Sequence, residues 1–152
     1  MRLKFRPAKR EDLPEIVRML ADDFLGATRE RYENPLPEIY VKAFEEIDAD
    51  KNNELIVAEK DGEIVGTLQI TFTPSISFQG GKRATVESVR IDEKQRGQGI
   101  GKELMKWAIN RAREEKCFSM QLTTNAERTD AHRFYENLGF KKSHIGMKLY
   151  LK

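Results

Sequence analysis

The most constraining stretch of this sequence is Gln95–Lys102, QRGQGIGK, which follows an alternating run and opens a helical one. Gly97, Gly99 and Gly101 leave several backbone N–H groups unshielded by side chains. A helix start adds its own free N–H groups and the positive end of the helix dipole. Arg96 and Lys102 add formal charge. Such a strand-to-helix turn suits a phosphate or pyrophosphate. Three glycine motifs compete for it. A P-loop would need glycine where Arg96 stands and Ser or Thr where Glu103 stands. A dinucleotide fingerprint needs GxGxxG in an early βαβ unit, whereas this turn reads GxGxG past mid-chain. What remains is R-x-x-G-x-G, from Arg96, Gly99 and Gly101.

Periodicity places that turn in a mixed α/β chain. Arg2–Pro7 alternates weakly and predicts a first strand. Leu13, Ile16, Val17, Leu20 and Phe24 follow helical spacing, with Asp12 as the expected N-cap and Pro14 in the first turn. Leu36, Ile39, Tyr40, Ala43, Phe44 and Ile47 predict a second helix, and residues 26–37 a mobile connector. The period then changes to two. Residues 54–60 and 63–73 read as strands around an Asp61-Gly62 hairpin turn, followed by a polar loop over 74–83. Residues 84–92 predict a strand, 100–116 a long amphipathic helix and 117–124 another strand. Ala131, Phe134, Tyr135 and Leu138 predict a short helix ended by Gly139, and 140–151 one or two closing strands. No repeat or linker divides the chain, so one domain over residues 1–152 is expected.

Composition narrows the classes further. The longest unbroken apolar run is four residues, Leu55 to Ala58, too short for a membrane helix, and the N-terminus lacks an apolar signal region. Cys117 is the only cysteine, which excludes intrachain disulfides and zinc ribbons and makes a cytoplasmic location the expectation. Residues 1–76 hold 11 basic and 16 acidic residues, and residues 77–152 hold 16 and 9, so the halves carry −5 and +7. The basic half suits a polyanionic ligand and the acidic half a cationic one, but charge alone favours the plainer reading, uneven decoration of a solvated surface. His132 and His144 are the only histidines and stand 12 apart, so no metal site is expected. The aromatic–basic interleaving of an RNA-binding sheet is absent, and no nucleic-acid partner is expected.

The segment VRIDEKQRGQGIG, Val89 to Gly101, resembles the coenzyme A motif of the GNAT family of N-acetyltransferases. A second block matches the same family: Asn125, Ala131 and FYENLGF from Phe134 to Phe140. The order of elements matches from end to end. TTN from Thr123, DAHRFY from Asp130 and Ser143-His144 resemble the small-molecule branch that contains aminoalkylphosphonate acetyltransferases. The resemblance implies a mixed, mostly antiparallel sheet of six to seven strands flanked by about four helices. It implies acetyl-CoA as co-substrate, no metal, and direct transfer of acetyl to the primary amine of a small molecule. It leaves a homodimer open, with the closing strands available to pair with a second subunit.

By the same resemblance, Arg96, Gly97, Gln98, Gly99, Ile100, Gly101 and Lys102 hold the co-substrate. Val89, Arg90 and Ile91 border it through their main chain, and Asn125 lies near its pantetheine arm or near Tyr135. An alkyl ammonium, with a pKa near ~10.4, must lose a proton before it attacks a thioester. Glu87 is the expected base, directly or through water; period-two counting puts it on one face with Thr85, Val89 and Ile91. Tyr135 is the expected acid for the departing thiolate. Each has an ordinary alternative: Glu87 in an ion pair with Arg90, Tyr135 as a core tyrosine, Asn125 as a turn residue. Two other functions stay open, a protein or peptide N-acetyltransferase and a non-catalytic coenzyme A-binding module.

Overall fold

A computed structural model describes residues 2–152. Five strands form one sheet in the order β1-β2-β3-β4-β5: Leu3–Pro7, Asn53–Lys60, Glu63–Pro74, Lys82–Ile91 and Ser119–Leu122. The first four pair antiparallel, and β5 joins β4 in parallel. The helices are α1 (Leu13–Ala21), α2 (Gly26–Arg29), α3 (Glu38–Ala49), α4 (Ser77–Gly80), α5 (Ile100–Glu114) and α6 (Thr129–Asn137). Two of them, α2 and α4, are single turns. No described helix is long and apolar enough to cross a membrane.

The sheet is covered on both faces, which is why β2 carries the unbroken run Leu55–Ala58. Ile56 and Ala58 point into a core with Leu68, Ile70, Phe72, Ala84, Val86 and the α5 stripe Ile100, Leu104, Met105 and Ala108. Leu55 and Val57 face the other way, against Leu13, Ile16, Val41 and Phe44 of α1 and α3. Asp61 and Gly62 both have positive φ, 53° and 81°, as the expected two-residue hairpin requires. Arg111 fastens α5 to the sheet. Its guanidinium donates to Glu54 Oε1 at 3.0 Å and Oε2 at 2.6 Å, and it lies 5.3 Å from the Phe72 ring centre.

Several expectations change. The sheet has five strands rather than six or seven. Residues 141–152 form no strand, and all of them are exposed, so the hydrogen bonds a closing strand would need are not made. The fifth strand is also shorter than 117–124. Asp12 does not cap α1. Its carboxylate turns back to accept from Lys9 N at 2.7 Å and from Arg6, which also binds Glu59. The connector over 26–37 includes α2, and the Tyr40 hydroxyl pins it, accepting from Arg31 N at 2.8 Å and donating to Glu30 Oε1 at 3.0 Å.

Candidate active site

β4 and β5 stay paired only from Arg83↔Ser119 to Val86↔Leu122, yet β4 runs on to Ile91. Glu87 is therefore the first residue past the last pair. Directly after it the strand bulges. Gln69 faces Glu87 and Thr67 faces Arg90, so β4 fits two residues, Ser88 and Val89, where β3 has only Leu68. Ser88 carries φ 56°, in the left-handed region. A bulge bends the strand and re-aims the side chains beyond it. That overturns the face expected for Glu87. Val89 and Ile91 pack on the α5 side of the sheet, whereas Glu87 lies across from Gln69 on an exposed stretch. The Glu87 side chain makes no hydrogen bond or ion pair to any described residue.

The glycine turn sits beside this divergence. Asp92 Oδ1 accepts from Lys94 N at 3.2 Å and starts a short 3-10 turn over Glu93–Gln95. Gly97 and Gly99 then take φ 81° and 80°, with Gly99 serving as the N-cap of α5. None of the described acceptors receives the backbone N–H of residues 97 to 102. A Cβ at Gly101 would stand 3.4 Å from Phe134 Cζ, in ordinary van der Waals contact, so α6 packs directly on the first turn of α5. Lys60 tethers the turn from the end of β2, its Nζ donating to Gln98 Oε1 at 2.8 Å and Gln95 Oε1 at 3.3 Å. Arg18 ties in α1 through Asp92 at 3.2 Å. Arg96 and Lys102 are exposed, while the Ile100 side chain is core, so Ile100 offers only its main chain.

Tyr135 lies on α6 between two rings, Phe134 at 5.1 Å and Phe140 at 6.0 Å, both edge-on. Burial pushes its phenol above the usual value, against the opposing pull of Arg90 and Arg128. Asn125 is an exposed turn residue. Its Oδ1 accepts from Glu127 N at 2.9 Å, and His132 Nε2 lies 3.1 Å from its carbonyl. Among the described residues, no cluster of His, Cys, Asp and Glu could hold a metal ion.

The structure adds residues that sequence reasoning passed over. Arg90 runs from β4 towards Asp23, Arg29, Arg128 and Tyr135, which together set its electrostatic environment. Burial, and then the like charge of Arg128, lowers its pKa. Its Nη1 donates to the Val89 carbonyl at 2.8 Å, but its buried Nε has no partner. Asp23 balances this group: it accepts from Gly26 N at 2.6 Å and from Arg128. Burial works to raise the Asp23 carboxyl, but the Gly26 N–H and Arg128 outweigh it and hold it below the usual range. Nearby, a cavity of about 150 Å³ lies between α1, α3 and the sheet. Ile16, Leu20, Phe44, Thr67, Gln69 and Ser88 are among its lining residues. A larger hollow of about 390 Å³ beside Arg10, Pro14 and Leu36 contains none of the site residues. No local pattern could have linked Asp23, Arg90 and Arg128, because they come from distant segments.

A mixed sheet whose fourth and fifth strands part beside a glycine-turn helix is the architecture of the GNAT acetyltransferases. The model of the acetyltransferase (GNAT) family matches residues 14–140, and the chain belongs to that family. A crystal structure from Bacillus halodurans C-125, of a protein described as a transcriptional regulator, superposes with a TM-score of 0.96. It is 57% identical, and the match covers 99% of this chain and 100% of that one. An aminoalkylphosphonate N-acetyltransferase of Salmonella typhimurium is 33% identical over 96 residues, 63% of this chain and 62% of that protein. A glucosamine 6-phosphate N-acetyltransferase of Oryza sativa is 25% identical over 132 residues, 84% of this chain and 78% of that protein. The match therefore spans less than two thirds of the Salmonella protein's length.

Proposed function

We propose that residues 1–152 form one N-acetyltransferase domain that moves acetyl from acetyl-CoA to a small primary amine bearing an anionic group. The observation that carries the co-substrate is the glycine turn, whose unpaired N–H groups lie beside the bare edge of β4. The phosphates would lie against residues 96–102, with the thioester along Val89 and Arg90. The acceptor amine attacks the thioester carbonyl carbon, and the N–C bond forms as the C–S bond breaks. Glu87 takes a proton from the ammonium, directly or through water. Tyr135 gives its hydroxyl proton to the departing sulfur, and its raised pKa keeps that proton available at neutral pH. The buried, unpartnered Nε of Arg90, with Arg128 and Arg29 close by, supports an anion on the acceptor. Two of the named relatives act on amines that carry a phosphonate or a phosphate. A lone cysteine and this co-substrate suit the cytosol.

The test is thiol release from acetyl-CoA against aminoalkylphosphonates, amino-sugar phosphates, amino acids, polyamines and peptides. Turnover of compact anionic amines, reduced in Tyr135→Phe and Glu87→Gln, is expected. Turnover restricted to polyamines or peptides would refute the anionic acceptor. The Bacillus relative's description favours a second reading, a coenzyme A-binding regulator. Salt-dependent DNA binding with acetyl-CoA binding but no turnover would favour it.

A further inference from the structure

Beside the bulge at Ser88, the space between the sheet and the helices α1 and α3 is incompletely filled. Helical spacing lines up Tyr40, Ala43, Phe44 and Ile47 along α3, and Ala43 puts a lone methyl group among three large side chains. The cavity of about 150 Å³ lies there, closed on the far side by Ile16 and Leu20 of α1. Its polar neighbours are already engaged within the protein. Thr67 Oγ1 donates to the Ile56 carbonyl at 2.9 Å, and Gln69 Nε2 donates to Asn53 Oδ1 at 2.9 Å. The Tyr40 hydroxyl is held by Arg31 N and Glu30. The Ser88 hydroxyl bonds to no described residue, and it is exposed at the mouth. A water settles in such a space only with about two to four polar partners, so the cavity suits carbon rather than water. An apolar cavity of about this size in another protein takes up benzene.

The mouth adjoins the place where the acceptor amine would stand. Ser88 follows Glu87 directly, and Gln69, in the cavity wall, faces Glu87 across β3 and β4. An amine that gives its proton to Glu87 and sets its anion towards Arg90 has this opening beside it. We propose that the cavity binds an apolar arm of the acceptor, a branched alkyl group or a single aromatic ring on the carbon that bears the amine. That assignment of substrate rests on the reading of Glu87 as the base; the affinity of the cavity for an apolar group does not. Left empty, the cavity forfeits the contacts its walls could make, and a ligand arm restores them. Ala43 sets the room available, since any larger side chain there would occupy it. A hydroxylated body such as an amino sugar fits this wall poorly, because its hydroxyls would find their partners already taken. The cavity thus separates amines with an apolar arm from amines that are polar throughout.

The test compares aminomethylphosphonate with its derivatives bearing an isobutyl or a benzyl group on the same carbon, each with acetyl-CoA. Either arm should raise kcat/KM at least about tenfold. Ala43→Phe, which puts a ring into the space, should erase that preference. Benzene alone, titrated into the unaltered protein without co-substrate, gives a second readout. Methyl NMR shifts should gather at Ile16, Leu20 and Ile47 and vanish in Ala43→Phe. Equal turnover of all three amines would overturn the apolar arm while leaving the acetyltransferase reading intact. A preference indifferent to Ala43→Phe would place the arm elsewhere and overturn it too. Turnover of none would count against the acetyltransferase reading, and benzene then decides for the cavity. Shifts confined to its walls would support a site for an apolar group, and their absence would overturn it. The amine series and the benzene titration both run on the unaltered protein, so neither depends on the variant folding.

Discussion

Gly26 stands at the corner between α1 and the arginine cluster, and Gly26→Ala probes both. Its φ is not in the left-handed region, so backbone strain is not the issue. Space is the issue. A Cβ would lie 1.8 Å from the Leu20 carbonyl oxygen and 3.0 Å from Asp23 Oδ1. The first contact is with backbone, which cannot swing aside, so the corner must open. Overpacking of this kind costs about 1–3 kcal/mol. Opening the corner also lengthens the 2.6 Å bond from Gly26 N to the Asp23 carboxylate, worth about 1.5–3 kcal/mol for a charged acceptor. Together they predict a loss of about 2.5–6 kcal/mol, or a fall in Tm of roughly 5–20 °C for a chain of this size. With Asp23 displaced, Arg128 loses its counterion, and KM for the acceptor should rise while KM for acetyl-CoA holds. Calorimetry and steady-state kinetics read both effects. A Tm within 2 °C (roughly the effect of 1 kcal/mol) would refute the steric reasoning, and an unchanged acceptor KM would refute the role of the cluster.

Gly99→Ala tests the other kind of glycine. Nothing lies within 4 Å of where an added Cβ would stand, so the only penalty for alanine is the left-handed φ of 80°. It should cost about 1 kcal/mol and weaken acetyl-CoA binding, measured by calorimetric titration. Tyr135→Phe should lower kcat with little change in KM for acetyl-CoA. In the unaltered enzyme the rate should not fall through tyrosine ionisation until the pH exceeds about 10, because burial raises that phenol; a pH–rate profile checks it. Burial works to raise the Asp12 carboxyl, but Arg6 and the Lys9 N–H outweigh it and place it below its ordinary 3.8. Its stabilisation is therefore fully present above that pH and is lost as the pH falls through the lower folded value. Asp12→Asn should cost about 2 kcal/mol at neutral pH and flatten the acid limb of a denaturant-derived stability curve. Leu104→Ala, at a fully buried position, should cost about 3–4 kcal/mol in the same assay.

The amphipathic stripe of α5, the short apolar run of β2 and the Asp61-Gly62 turn were legible in the sequence because each depends on neighbours a few residues away. So was the glycine turn, since left-handed φ at Gly97 and Gly99 is a local demand. Tertiary structure alone decided the rest. Period-two counting failed at Ser88, because a bulge arises from how many residues β3 sets opposite β4. Asp12 looked like a cap, but its carboxylate turns back to Arg6 of β1, which Glu59 of the neighbouring strand holds in place. Asp23, Arg90 and Arg128 lie far apart in sequence and gather only when α1, β4 and the start of α6 pack together. The tail over 141–152 has the alternation of a strand, yet a strand needs a second backbone to bond with. Alternation within a segment marks which side chains share a face, whereas the partner depends on which edge is free when the chain has folded.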